Sequence, residues 1–199
     1  LGALALSWVS PFGAFGVGQD GKSGAVARSG KVTLAPLLGS LDGPIVAAND
    51  IGLAVATKQG AAFYQGTKAV PLANAGEIVD VAGISDSGIV AGTLTVTKDG
   101  TRQAMAYDTT NGKRTLLGVD APNATSINSN GWIVGGSGKS AFLHVPGIGT
   151  KNLSSLVSPT AKLVIADVIR MTDAGEILVR GEVAGVPGLY VIDANAGAK

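Results

Sequence analysis

One short motif recurs along this chain, and a glycine marks each copy. In the motif, an apolar residue is followed by two or three turn-forming residues, the glycine and a short apolar run. Subtracting successive positions gives intervals of 39, 36, 43 and 44 residues between the marker glycines, which are Gly13, Gly52, Gly88, Gly131 and Gly175. A period near 40 residues is typical of the four-stranded blade of a β-propeller.

The remainder of each unit also recurs. A small residue opens a second apolar strand after each glycine-led strand, as in Ala104-Met105-Ala106-Tyr107 and Ala141-Phe142-Leu143, and a Leu-rich segment such as Leu116-Leu117-Gly118 follows. These runs are short and rich in β-branched residues, and glycine permits the positive φ of tight hairpin turns. The pattern predicts an all-β, five-repeat β-propeller-like domain of four-stranded antiparallel blades over residues 1–199. Only Leu153 to Lys162 is expected to contain a turn of helix.

The two ends of the sequence suggest how such a ring would close. The fifth unit lacks a fourth strand, while Leu1 to Leu4 resembles the fourth-strand segment Leu38 to Leu41. We therefore expect Leu1 to Leu4 to pair with Leu189 to Ile192, which makes Leu1 to Val9 part of the fold rather than the remnant of a leader. The residues expected to be largely buried are Phe63, Ile84, Val90, Ile127, Val134, Phe142, Ile177 and Leu189.

Two of these stretches resemble a known family. Ile127-Asn128-Ser129-Asn130-Gly131-Trp132-Ile133-Val134-Gly135 and the strand Ala141-Phe142-Leu143 are similar to the bacterial extracellular HAF repeats. The chain departs from that pattern, because no histidine precedes an Ala-Phe strand and His144 stands where the family tends to place tryptophan. The resemblance implies a secreted or cell-surface, propeller-like protein, and it carries over no catalytic residues.

Composition excludes several classes of function. The formal net charge is +1 and no cluster of four Lys or Arg residues occurs, so neither nucleic acid nor an anionic membrane is an expected partner. The chain contains no cysteine, which excludes disulfides and thiolate chemistry. No apolar run approaches the roughly 20 residues of a transmembrane helix.

Three groups of polar residues are candidates for chemistry, and each has a simpler structural explanation. Turn residues could bind calcium but also stabilise turns by themselves: Asn49, Asp50, Asp86, Asn128, Asn130 and Asp173. The single histidine, His144, lies on an apolar strand and is expected to be a packed residue rather than a catalytic base. Acidic residues near strand ends could form the carboxylate pair of a glycoside-cleaving enzyme, although most are expected to be solvated: Asp42, Glu77, Asp80, Asp120 and Asp167.

Aromatic and glycine-rich segments have structural explanations as well. Eight aromatic residues could stack on sugars, but most occupy equivalent strand positions, as core residues would: Trp8, Phe15, Phe63, Tyr64, Tyr107, Trp132, Phe142 and Tyr190. The glycine-rich segments Gly13 to Gly18 and Gly135 to Gly138 are not expected to open helices, so they do not predict phosphate loops.

The sequence therefore predicts no catalytic, cofactor-binding or metal-binding residues. The leading hypothesis is a non-enzymatic extracellular module that binds a protein or polysaccharide on a face of loops. Two alternatives remain open. One is a glycoside-cleaving or lyase enzyme with axial carboxylates, and the other is a structural subunit that self-associates if the ring is open.

Overall fold

The chain folds entirely into β-structure and short 3-10 turns in the part that the computed structural model describes. That part comprises residues 4–10, 13–18, 24–28, 31–35, 45–49, 53–57, 60–65, 68–118 and 121–195. These residues form nineteen β-strands and three 3-10 helices, and they contain no α-helix. The all-β prediction is confirmed.

The strands form five antiparallel sheets within the described residues, and each sheet is built from consecutive strands. The first sheet contains β1 to β4, at Leu4–Ser10, Gly13–Gly18, Gly24–Arg28 and Lys31–Ala35. The second contains β5 to β8, at Ile45–Ala48, Leu53–Thr57, Gly60–Gln65 and Lys68–Pro71. The third contains β9 to β12, at Glu77–Ile84, Ile89–Val96, Arg102–Asp108 and Lys113–Leu116. The fourth contains β13 to β16, at Ala124–Ile127, Ile133–Gly135, Phe142–Val145 and Gly149–Asn152. The fifth contains β17 to β19, at Leu163–Met171, Glu176–Val183 and Val186–Asp193.

Marker glycines lie in the turns between the first and second strands of a sheet. Gly88, Gly131 and Gly175 have φ angles of +83°, +80° and +85°, in the region that favours glycine. The N–H of each donates to the carbonyl three residues earlier. The predicted equivalence of Gly88 and Gly131 is thus confirmed, while Gly13 begins β2 and Gly52 lies outside the described residues.

A side-chain oxygen stabilises each of these three turns. Ser85, Asn128 and Thr172 occupy the position three residues before the glycine, and each accepts a hydrogen bond from the backbone N–H four residues later. The distances are 3.0, 2.9 and 3.1 Å, respectively. Ser, Asn and Thr recur at this position because each supplies a short acceptor to the turn backbone.

Consecutive sheets from the second to the fifth pack face to face. One apolar layer joins the second and third sheets through Phe63 and Val90, and another joins the third and fourth through Ala104 and Phe142. A third layer joins the fourth and fifth sheets and contains Leu143, among other residues. The third and fourth sheets are therefore buried on both faces.

The sheets follow one another in a regular order. Their first strands are in contact successively, from β1 to β5, β9, β13 and β17. The turns that precede the second strands are also linked between sheets. Asn49 Nδ2 donates to the Ser85 carbonyl at 2.7 Å, and the Ser129 N–H donates to Asp173 Oδ1 at 2.8 Å. These bonds place neighbouring turns on the same side of the molecule.

Most of the predicted core is buried, with one clear error. Phe63, Val90, Val134, Phe142 and Ile177 are at most 2% exposed, as predicted. Ile84 and Ile127 are half-buried. The prediction for Leu189 is wrong, since this side chain is 64% exposed. It lies on the face of the fifth sheet opposite the layer shared with the fourth sheet, and no described sheet covers that face.

The expected pairing of Leu1 to Leu4 with Leu189 to Ile192 is not found for Leu4, the described residue of that segment. Leu4 pairs with Gly18 of β2 and so belongs to the first sheet rather than to the edge of β19. Leu1 to Ala3 lie outside the described residues. Among the described strands, β19 forms the edge of a three-stranded sheet.

Short 3-10 helices occupy two regions. Leu153–Leu156 and Pro159–Ala161 lie in the segment where a turn of helix was expected. The third, Gly138–Ser140, begins at the end of a glycine-rich segment that was not expected to open a helix, so that expectation is wrong. It is only three residues long, and the other glycine-rich segment, Gly13–Gly18, is strand β2.

Candidate binding cleft

A cleft of 260 Å³ lies between the third and fourth sheets, and we call it the His144 cleft. Its walls come from β10, β11 and β12 on one side and from β14, β15 and the turn after β15 on the other. Three charged or titratable side chains line it, namely Asp108, Lys113 and His144. Two consecutive sheets thus bring these groups together from positions that are distant in the sequence.

A chain of hydrogen bonds holds His144 in place. The ring Nδ1 lies 3.0 Å from Thr150 Oγ1, and the Thr150 hydroxyl donates to the Leu117 carbonyl at 2.7 Å. Because this hydroxyl has one proton, which goes to the carbonyl, the hydroxyl oxygen must accept from Nδ1–H. The neutral ring therefore carries its proton on Nδ1 and leaves the Nε2 lone pair available as an acceptor.

Burial favours the neutral form of this ring. It lowers the pKa of His144 below its ordinary value of 6.5. The cleft consequently presents an uncharged acceptor at neutral pH.

Asp108 presents a carboxylate at the end of β11, where the chain turns towards β12. Its Oδ1 accepts from the Thr110 N–H at 2.9 Å and from the Thr110 hydroxyl at 2.6 Å, and its Oδ2 accepts from Asn111 Nδ2 at 2.7 Å. The hydrogen bonds from Thr110 and Asn111 lower the pKa of Asp108, although desolvation by burial acts in the opposite direction. The carboxylate is therefore ionised and held in one orientation.

The remainder of the cleft combines one cation with an apolar floor. Lys113 is exposed, and it pairs with Asp108 in the register of β11 and β12. Ile89 and Pro146 supply apolar surface, and the buried Ile133 lies beneath them. The cleft can thus bind a ligand that has hydroxyl groups on its edge and C–H groups on one face.

A second, larger cleft of 510 Å³ lies between the same two sheets. Its cations are the exposed Lys139 and Lys151. Asn152, which also lines it, is already engaged, since Oδ1 accepts from the Ser154 N–H at 2.9 Å and Nδ2 donates to the Lys139 carbonyl at 2.5 Å. The His144 cleft is the better candidate because its histidine retains an unused acceptor.

Three of the six turn residues that could have bound calcium have other contacts. Asn49 and Asn128 are buried and take part in the turn bonds described above, and Asp173 accepts from Ser129. Asp86 and Asn130 are exposed, and Asp50 lies outside the described residues. Within the described ranges, no group of three or more His, Asp or Glu side chains could hold a metal ion.

Two of the candidate acids are paired with arginines. Glu77 contacts Arg114 at 2.5 Å, and this hydrogen bond lowers the pKa of Glu77. Asp167 contacts Arg180 at 2.8 Å on the exposed surface of the fifth sheet. Asp80 is exposed on β9. Asp42 and Asp120 lie outside the described residues.

The described aromatic residues serve mainly as core. Phe63, Tyr64, Tyr107 and Phe142 are buried, whereas Trp132 and Tyr190 are half-buried against the layer between the fourth and fifth sheets. Trp8 lies on β1 and Phe15 on β2. The described side chains offer no fully exposed aromatic surface.

The sequence distinguishes His144, its single histidine, but not the partners of that residue. Thr150 is six residues away, and Leu117 and Thr150 are 33 residues apart, in different sheets. The sequence patterns did not predict Asp108 or Lys113 as site residues. The run from Asp108 to Gly112 is a hairpin turn, however, and that signal could have indicated a rigid carboxylate.

Comparison with known proteins identifies no family for this chain. No protein-family model matches the chain, and no curated protein matches it significantly. Among the described residues, no helix has the length and apolar character needed to cross a membrane.

Proposed function

We propose that this chain is a non-enzymatic, extracellular β-propeller module that binds a polysaccharide in the His144 cleft. The observation that carries the binding proposal is the convergence of Asp108, Lys113 and His144 from two sheets onto an apolar floor. The sequence resemblance to extracellular repeats supports the location.

The stacking of the sheets supports the propeller. Four four-stranded antiparallel sheets and a three-stranded fifth sheet follow one another with their first strands in contact, and apolar layers lie between the second, third, fourth and fifth sheets. In a propeller, blades are arranged in this way around an axis lined by their first strands. Closure by Leu1 to Leu4 is not part of the proposal, because Leu4 pairs within the first sheet.

The chemistry of the cleft favours a sugar over an extended peptide. Its volume lies just below the roughly 300–1,000 Å³ of most small-molecule sites, so it suits one sugar residue rather than a long segment. Hydroxyl groups of that residue can donate to His144 Nε2 and to the Asp108 carboxylate and accept from Lys113. The C–H face of the sugar ring would lie on Ile89 and Pro146.

A binding role fits the cleft better than glycoside cleavage. Glycosidases require two carboxyl groups on either side of the scissile bond. Asp108 is the one carboxylate among the described residues that line the cleft, and Glu77 and Asp167 are engaged with arginines.

A glycan array followed by calorimetry on the best ligand tests the proposal. Wild type should bind at least one polysaccharide. Lys113→Ala and His144→Phe should each weaken that binding by about tenfold, because each removes a hydrogen bond to the ligand. Lys98→Ala is the matched control, since Lys98 is an exposed lysine in the turn between β10 and β11 and should leave affinity unchanged.

Two results would overturn the proposal. One is an array without signal above background while a protein is captured from the secreting cells, which would favour a protein partner. The other is glycan binding that neither Lys113→Ala nor His144→Phe alters, which would place the sugar elsewhere.

A further inference from the structure

The outer edge of β19 differs from the corresponding edge in every other sheet. Within the described residues, the first four sheets each contain a fourth strand antiparallel to the third, namely β4, β8, β12 and β16. The fifth sheet has three strands and ends at β19. No described strand occupies the place beside β19.

The register identifies which backbone groups face this edge. Asp193 pairs with Glu176, as Asp108 pairs with Ile89, and both Glu176 and Ile89 directly follow a marker glycine. Leu189 and Val191 are four and two residues before Asp193, so they correspond to Ala104 and Ala106 of β11.

The equivalent residue Ala104 shows in which direction the backbone N–H and C=O groups of Leu189 point. Its carbonyl accepts from the Leu117 N–H at 2.9 Å, and its N–H donates to the Ala121 carbonyl at 2.6 Å, so both groups point away from β10. Because direction alternates along an antiparallel strand, the N–H and C=O groups of Leu189 and Val191 point outward from β18 in the same way.

The hydrogen bond that the Ala104 carbonyl accepts has a counterpart in two other sheets. The carbonyls of Ala61, Ala104 and Ala141 accept from the backbone N–H groups of Leu72, Leu117 and Leu153, respectively, each of which directly follows a fourth strand. The Leu189 carbonyl occupies the same position, and among the described residues no such leucine donates to it. A sheet edge with outward backbone groups is a template for one more strand.

We propose that the edge of β19 binds an extended strand from a partner protein, antiparallel to β19. This site lies outside the His144 cleft and is independent of sugar binding. Backbone hydrogen bonds from Leu189 and Val191 supply the attraction, and the strand fills the place that a fourth strand takes in the other sheets.

The existing fourth strands indicate the sequence of the partner segment. Three of the four begin with lysine, at Lys31, Lys68 and Lys113. Lys113 pairs with Asp108, and the exposed Asp193 takes the position of Asp108 on β19. A partner strand that begins with lysine therefore places that residue opposite the acidic Asp193 in the register.

The other positions follow from β12. Thr115 pairs with Ala106, Leu116 pairs with Met105, and Leu117 donates to Ala104. The expected partner strand thus has a basic residue, any residue, a threonine or valine, and two leucines in that order.

A synthetic peptide tests this directly. The probe is Lys-Arg-Thr-Leu-Leu-Gly, blocked at both ends, which copies residues 113–118 of this chain. Added to the isotope-labelled full chain, it should bind saturably and slow amide exchange at Leu189 and Val191 by about tenfold or more. A scrambled peptide of the same composition should do neither.

Two substitutions separate backbone pairing from side-chain contact. Val191→Pro removes one outward N–H, which proline tolerates at a sheet edge, and it should abolish peptide binding. Val191→Ala keeps the N–H and should retain most of the binding. Circular dichroism and thermal melting establish that both variants are folded, and His144→Phe should bind the peptide as wild type does.

Three outcomes would overturn the proposal. The first is slow amide exchange at Leu189 and Val191 in the free protein, which would mean that the chain covers this edge itself. The second is equal binding of the scrambled peptide, and the third is unchanged binding to a folded Val191→Pro variant.

Discussion

Asn128 has one satisfied and one unsatisfied polar group in a side chain that is 3% exposed. Its Oδ1 accepts from the Trp132 N–H, whereas its buried Nδ2 has no hydrogen-bond partner among the described residues. Ser85 performs the same turn function in the third sheet with a hydroxyl. An unpaired buried donor costs free energy, so asparagine is not the optimal residue for this turn.

Substitution of Asn128 separates these two effects. Asn128→Ser retains an acceptor for the Trp132 N–H, as Ser85 does for Ile89, while Asn128→Ala leaves that N–H unpaired. We expect the serine variant to exceed the alanine variant by about 1 kcal/mol in free energy of unfolding, measured by urea denaturation. Equal stabilities would show that the turn does not depend on this acceptor.

His144 makes stability depend on pH near neutrality. Its pKa in the folded protein is lowered by burial, so the unfolded chain binds the proton first as the pH falls. The free energy of unfolding should therefore decrease from above about pH 6.5 down to the lowered pKa, and the contribution of His144 should be constant below it. Glu77 and Asp108 have lowered pKa values as well, so their effects belong to a more acidic range.

His144→Phe should remove this part of the pH profile. Denaturation of wild type and variant between about pH 8 and pH 5 measures the difference. As the pH falls, the free energy of unfolding of wild type should decrease relative to that of His144→Phe. A constant difference would mean that His144 has the same pKa in the folded and unfolded states.

At the scale of the elements, equivalent strands differ in what their side chains contact. Phe142 on β15 is 2% exposed in the layer between the third and fourth sheets, whereas Leu189 on β19 is 64% exposed. Phe142→Ala should cost about 3–5 kcal/mol of unfolding free energy because it leaves a cavity. Leu189→Ala should cost less than about 0.5 kcal/mol at low protein concentration.

Chemical denaturation of the two alanine variants gives both values in one experiment. A cost below about 1 kcal/mol for Phe142→Ala would contradict the burial of β15. A large cost for Leu189→Ala would mean that this face of the fifth sheet is covered in solution.

The elements were predictable where local chemistry decides them. Gly88 and Gly131 indicated the turns because positive φ favours glycine, and the short runs after them indicated β10 and β14. The error at Leu189 has a different origin. Leu189 lies in a continuous apolar run, Leu189 to Ile192, as a strand buried on both faces would. Burial on both faces also requires a neighbouring sheet on each side, which a local pattern does not encode.

The candidate cleft was less predictable for the same reason. His144 could be singled out because it is the only histidine. Its role depends on Thr150 and Leu117, which come together only when the third and fourth sheets stack. Asp108 and Lys113 appear in the sequence as ordinary turn residues, and the neighbouring sheet gives them a ligand-sized space.

At the scale of the whole molecule, the outer face of the fifth sheet carries apolar side chains that no described sheet covers, Leu189 and Val191, beside the Asp167–Arg180 ion pair. Val134 and Leu143 on the corresponding face of the fourth sheet are at most 4% exposed against the fifth sheet. The matching positions of the fifth sheet are Leu178 and Val191, and Val191 is 63% exposed beside Leu189. Each copy of the chain therefore presents exposed apolar side chains at positions that the fourth sheet buries.

We expect this face to cause self-association at high protein concentration. Sedimentation velocity should show a species of higher mass whose fraction grows with concentration, because apolar area is removed from water at each contact. Val191→Lys should shift the association to at least about tenfold higher concentration, since a buried ammonium without a partner is unfavourable. Ile148→Lys is the matched control, because Ile148 is a 69% exposed turn residue away from this face. A wild-type protein that stays monomeric at every concentration would contradict the expectation and would indicate that the face is covered within one molecule.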